Sequence, residues 1–232
     1  MKTLGLIGGT SWGSSAEYYR LINEQVNKRL GGHHYARCIL YSFNFAEIKP
    51  LIDAQDWPAI HKLVAPVCRN LAIAGAEGIL LCANTLHVIA DELRNNIDIA
   101  VIHIAEAVAE EIEKRKLNTV GLLGTKFTME MNFFKKHLAA RRIEAIIPGD
   151  AGRAFVHTTI FDELGKGVFR EDTKARYLEL IRGLASEGAQ GIVLGCTEIP
   201  LLIKPSDCPL PLFDTVAIHA EAGVDFALKE IA

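Results

Sequence analysis

No run in this chain reaches the ~18 consecutive apolar residues that cross a bilayer, although half of its 232 residues are hydrophobic. A membrane partner is therefore not expected. The opening segment, MKTLGLIGGTSW, runs straight into a core-strand pattern. It lacks the long apolar stretch and small-residue cleavage site of a secretory signal, so a cytoplasmic location is the expectation. Basic excess is missing too: the formal net charge is −3, with no like-charge block, which argues against nucleic acid. There is no CxxC pair, and the cysteines number five, Cys38, Cys68, Cys82, Cys196 and Cys208. An odd count without a secretory signal argues against a disulfide framework. His33-His34 and the Cys82…His87 spacing are too sparse for zinc, so no metal is expected. The dinucleotide fingerprint GxGxxG is absent. Gly8 to Gly13 has P-loop spacing, but Ser14 stands where the phosphate-binding lysine belongs.

What is present is alternation. Short runs rich in Ile, Leu and Val predict strands at Leu4–Ile7, Cys38–Phe43, Gly78–Leu81, Ala100–Ile102, Val120–Leu123, Ala145–Ile147 and Ile192–Leu194. Amphipathic stretches lie between them: Tyr19, Ile22, Val26 and Leu30; Ile60, Leu63, Val64, Val67 and Leu71; Ile104, Val108 and Ile112; Tyr177, Leu180, Ile181 and Leu184. Strands apolar on both faces, alternating with helices, predict an α/β fold with parallel sheets covered on both sides.

The chain also repeats itself. LAIAGAEGILLCAN (Leu71–Asn84) aligns with LASEGAQGIVLGCT (Leu184–Thr197), Leu71 meeting Leu184 113 positions on. TLGLIGGT from Thr3 aligns with TVGLLGT from Thr119, 116 positions on. Two matches in the same order at nearly the same offset predict two related α/β halves. The boundaries read as 1–98 plus 210–232 for the first domain and 99–209 for the second. LFDTVAIHAEAGVDF reads as a last strand and helix that return to complete the first half. Each half has a first strand ending in a Gly-rich turn and a later strand ending in a polar segment. Ligands of open parallel sheets bind at such strand ends.

Three segments there carry candidate chemistry. In Gly8–Ser11, exposed N–H groups at a helix start, with the Thr10 and Ser11 hydroxyls, suit a carboxylate. The plainer alternative is a tight turn whose Ser11, Ser14 or Ser15 caps the helix. In GCTEI, Cys196 stands where a strand stops and a helix start is expected to follow. A helix N-terminus would lower its thiol pKa, and Thr197 and Glu198 put polar groups beside it. Packing as a small hydrophobe is the plainer alternative. In CANTLH, the repeat pairs Ala83, not Cys82, with Cys196. Strand alternation then turns Cys82 toward the core. Asn84 and Thr85 would offer an amide, a hydroxyl and N–H donors to a substrate carboxylate, or simply cap a helix.

GLIGGTSWGSSAEYYRLIN, ANTLH, GCTEI and FDTVAIHA together resemble the aspartate/glutamate racemase family over nearly the whole chain. The resemblance implies two pseudo-symmetric α/β domains of Rossmann-like type with the active site at the domain interface. It also implies a cofactor-independent amino acid racemase, in which two cysteines act as acid and base on opposite faces of the substrate α-carbon. Cys196 matches one of them; Ala83 departs from the C-N-T-x-H pattern in the place of the other, which would impair turnover. Thr10, Ser11, Asn84, Thr85, Lys166 (in ELGKG), Thr197 and Glu198 are the implied substrate-binding residues. A small-molecule amino acid is the implied partner, with no cofactor and a homodimeric assembly. Three explanations of Ala83 stand open. It was introduced to freeze the substrate; or water or a neighbour supplies the second proton of a natural one-thiol enzyme; or the chemistry is a single-cysteine decarboxylation or isomerisation, as in the related arylmalonate decarboxylases. A non-catalytic amino-acid-binding relative is a further alternative.

Overall fold

A computed structural model describes residues 1–229. The chain divides into two compact units, Met1–His103 with the segment from His219 onward, and Ile104–Ile218.

The first unit contains β1 (Leu4–Gly8), α1 (Trp12–Leu30), β2 (Cys38–Ser42), α2 (Phe45–Asp53), α3 (Trp57–Ile73), β3 (Gly78–Leu81), α4 (Ala90–Asn96) and β4 (Ala100–Ile102). The second contains α5 (Ile104–Lys114), β5 (Thr119–Gly124), α6 (Lys126–Glu130), α7 (Asn132–Ala140), β6 (Glu144–Ile146), α8 (Asp150–Asp162), α9 (Glu171–Ser186), β7 (Ile192–Gly195), α10 (Ile199–Leu202) and β8 (Leu212–Asp214). Helix α11 (Thr215–Leu228) begins in the second unit and runs into the first.

Both sheets are parallel, four-stranded and identically ordered, β2-β1-β3-β4 and β6-β5-β7-β8. The sequence repeat is thus a topological repeat. Its identities have physical causes. Gly75 and Gly188 turn the chain from helix to strand at φ +100° and +107°, where a side chain would be strained. A Cβ at Gly78 would come within 2.5 Å of Phe226, and one at Gly191 within 2.7 Å of Phe213. The central strands β1, β3 and β7 are buried along their whole length, as parallel strands covered on both faces must be.

The observed strands match the predicted ones within a residue or two. Three details differ. Strand β4 pairs with β3 and so belongs to the first sheet, although the boundary read at 98/99 assigned it to the second domain. Strand β8 pairs with β7 in the second sheet, and only the later part of α11 lies in the first unit. The reason is that strand partnership is set by long-range pairing, which a local pattern does not carry. On α1 the buried face is Ser14, Tyr18, Ile22 and Val26, each four residues from the next, so Tyr19 turns out to solvent. Leu63 is likewise exposed, while Ile60, Val64, Cys68 and Leu71 carry the buried face of α3.

Candidate active site

Sheet order locates the chemistry within each unit. In the first, successive connections leave β1 toward β2 and then return to β3 on its other side, so β1 and β3 flank a topological switch point. In open parallel sheets ligands bind outside the carboxyl ends of the strands at such a point. The same holds for β5 and β7 in the second.

In the first unit the β1 turn is held rigidly. Gly9 has φ +88°, and a Cβ there would fall 2.1 Å from the Phe43 carbonyl. Its N–H donates to Ser15 Oγ at 2.9 Å. Ser11 caps α1, its hydroxyl accepting from Ser14 N at 3.4 Å. Ser14, buried, donates its hydroxyl to the Cys82 carbonyl at 2.5 Å, which ties the β1 turn to the β3 turn. Thr10, Ser11, Ala83, Asn84 and Thr85 are therefore neighbours on one sheet edge. Thr10 Oγ1 is buried with no protein hydrogen-bond partner. Cys82 is buried, and burial pushes its thiol up, whereas Ala83 is half-buried.

Beneath that turn lies a buried aromatic and imidazole cluster. His87 donates Nδ1–H to the Ala83 carbonyl at 3.0 Å. Its ring meets those of His103 and His219 edge-on, at centroid distances of 4.8 and 5.1 Å. His219 Nε2 lies 2.8 Å from the Ile102 carbonyl and Nδ1 lies 2.7 Å from Tyr18 Oη. A carbonyl only accepts, so Nε2 bears the hydrogen, and the neutral ring's Nδ1 accepts from the tyrosine. Burial pulls the His219 pKa down to about 4, and burial with the nearby His219 pulls His87 well below the ordinary value.

In the second unit Cys196 follows β7 directly. Gly195 above it cannot carry a side chain: a Cβ would lie 2.9 Å from both the Leu123 carbonyl and the Thr128 methyl. Cys196, Thr197 and Glu198 are all half-buried. The Cys196 thiol donates to Glu198 Oε2 at 2.8 Å. Contrary to the expectation of a lowered thiol pKa, the thiol is pushed well above its ordinary value. Burial is the larger cause, followed by the charge and hydrogen bond of Glu198. The helix that follows, α10, is a single turn of four residues, too short for a substantial dipole. Behind the thiol, buried Tyr177 bonds Thr159 Oγ1 at 3.0 Å and donates to the Val156 carbonyl at 3.3 Å.

Lys166 follows α8 and not a strand end. It sits in a 3-10 turn after α8, its side chain 64% exposed, with Asp162 as its ion-pair partner at 3.6 Å. The direct Cys196–Glu198 contact, the Ser14 tie and the His87 bond were not anticipated as such. An i, i+4 spacing from Ala83 to His87 was the one available signal for the last. Nothing in the sequence connects Tyr177 to Cys196.

Comparison with known proteins places the chain in a family. Residues 7–223 match the family described as Asp/Glu/Hydantoin racemase. A candidate Asp/Glu racemase from Yersinia pestis has 44% identity and a TM-score of 0.93, covering 98% of this chain and 100% of that one. An aspartate racemase homologue from Pyrococcus horikoshii has 36% identity and a TM-score of 0.86, covering 98% and 99%. Among curated proteins, the broad specificity amino-acid racemase RacX of Bacillus subtilis is 23% identical over 226 residues, 95% of this chain and 96% of that protein. A match of 26% identity to the glutamate racemase of Carnobacterium sp. takes in 63% of this chain and about half, 51%, of that enzyme. The chain belongs to the Asp/Glu/Hydantoin racemase family.

Proposed function

We propose that this protein is an amino acid racemase of the aspartate/glutamate type that needs no cofactor and moves the α-proton by thiol chemistry. The observation that carries this is the half-buried Cys196 thiol at the switch-point end of β7, hydrogen-bonded to Glu198 in a chain of this family. Cys196 removes or delivers the proton on one face of the α-carbon. Position 83, where Ala83 replaces the second thiol, corresponds to the other face. Without a pyridoxal electron sink, the carbanion is stabilised by donors around the α-carboxylate. Thr10, Ser11, Asn84, Thr85 and Thr197 are proposed for that role, Thr10 having a buried hydroxyl to offer. Lys166 is proposed to hold an acidic side chain, which its exposure would require it to reach from the rim.

Incorporation of solvent deuterium at Cα of aspartate or glutamate tests the proposal. No incorporation into either, even in Ala83→Cys, would end it. Ala83 itself favours a second possibility, a single-cysteine decarboxylase or isomerase. Release of CO2 from substituted malonates, or isomerisation of maleate, would support that one instead.

A further inference from the structure

The Cys196–Glu198 contact is an awkward one for a base. A carboxylate 2.8 Å from a thiol opposes thiolate formation. If the sulfur had to ionise in advance, its nearest partner would hinder it. The same contact is also a direct path for a proton. Resting on the chemistry proposed above, we propose that Cys196 and Glu198 act as one proton relay, through which the protein exchanges its substrate's α-hydrogen with solvent faster than it inverts the α-carbon.

In the resting pair the hydrogen is on sulfur and Glu198 carries the charge. The S–H bond breaks as its proton passes to Oε2. The freed sulfur lone pair takes the α-hydrogen, and the C–H electron pair stays on the α-carbon, conjugated into its carboxylate. The pair now holds two protons and the substrate holds the negative charge. No further reactant is needed. Glu198 is half-buried, so its proton is open to exchange with water. Once Glu198 has released its proton to water, the α-hydrogen held on sulfur crosses to the freed carboxylate and is washed out in turn, and Glu198 hands a solvent-derived hydrogen back to sulfur, which returns it to the same face.

The turn at residue 83 has no comparable device: its Thr10, Ser11 and Thr85 hydroxyls, proposed above as donors to the α-carboxylate, are far weaker acids than a thiol. Ala83 carries no labile hydrogen. Cys82 is buried, with Sγ 3.8 Å from the Leu80 carbonyl. His87 is buried, and its Nδ1–H is given to the Ala83 carbonyl. Ser14 spends its hydroxyl on the Cys82 carbonyl. Inversion therefore depends on water for its second proton, whereas a positioned general acid is worth about 10²–10⁴-fold.

The test incubates the full chain in D2O with L-aspartate, D-aspartate, L-glutamate and D-glutamate separately. Proton NMR follows deuterium in the starting enantiomer, and chiral chromatography follows the inverted one. For at least one probe, deuterium should enter the starting enantiomer at least ~10-fold faster than inverted product forms. Glu198→Gln should lower that exchange by more than ~10-fold at saturation, while calorimetric affinity for the probe changes little. If Glu198 merely holds the thiol proton back, removing its charge raises exchange instead, and the relay is overturned. A loss confined to affinity overturns it as well. Equal exchange and inversion by the unaltered protein would overturn it without needing any variant, and would leave the racemase proposal standing. No exchange with any of the four probes would remove both.

Discussion

Lowering the pH from 7 toward 4 should destabilise the first unit through its buried imidazoles, with His219 as the measurable case. The ring is wholly buried, donates Nε2–H to Ile102 and accepts from Tyr18, so a second proton on Nδ1 would face a hydroxyl now forced to turn away. Its folded-state pKa is about 4 against an ordinary 6.5. Between those values the unfolded chain binds a proton that the folded chain refuses, so stability falls with falling pH across that window and is unaffected by this group above 6.5. Two and a half pH units at about 1.36 kcal/mol each amount to about 3 kcal/mol. His87 acts in the same direction. The informative variant is His219→Gln, whose amide retains one donor and one acceptor but does not titrate. Urea unfolding followed by circular dichroism at pH 7.5, 6.5, 5.5 and 4.5 should show a shallower loss of stability in the variant than in the parent. The gap should grow to about 2.5 kcal/mol at pH 4.5 relative to pH 7.5. Parallel curves for the two proteins, or an NMR titration of the His219 ring near 6.5, would refute the reasoning.

Four further outcomes are expected. Cys196→Ser should nearly abolish α-hydrogen exchange while leaving the circular dichroism spectrum and melting temperature close to the parent's, because a hydroxyl is a far poorer base and occupies similar space. Ala83→Cys should raise the rate of inversion by about tenfold or more, read by chiral chromatography, by supplying a general acid where there is none. Alkylation of Cys196 by iodoacetamide at neutral pH should be slow and should speed up several-fold in Glu198→Gln, since the carboxylate that holds the thiol protonated is gone. Gly9→Ala should cost about 2 kcal/mol or more in thermal unfolding, because it combines a positive φ with a Cβ 2.1 Å from a backbone oxygen.

The fold was legible where local pattern and global role coincide. Gly75 and Gly188 recur because the same left-handed turn is built twice, and Gly78 and Gly191 recur because an aromatic ring lies against each strand. Apolar runs identified the strands because parallel strands are covered on both faces. That the β1 and β3 turns stand at strand ends was legible from the apolar runs that precede them. Where long-range pairing decides, pattern failed: nothing in Ala100–Ile102 announces β3 as its partner, and nothing in Leu212–Asp214 announces β7. Tyr18 and Tyr19 are adjacent aromatic residues, and only the Ser14–Tyr18–Ile22–Val26 register tells which is buried. The Cys196 thiol was misjudged for a related reason. A helix start was foreseeable from sequence, but its single-turn length and the approach of the Glu198 carboxylate were not.

Helix α11 has a consequence for how the polypeptide is made. The second unit is one uninterrupted stretch, Ile104–Ile218, and can close on itself as soon as it leaves the ribosome. The first cannot, although its strands are synthesised earlier. Phe226 covers Gly78, Gly223 lets the helix lie against Leu80, and the Ala227 carbonyl receives the Lys2 N–H. All three follow the second unit in the chain, so that unit must be translated in full before the strands of the first gain this cover.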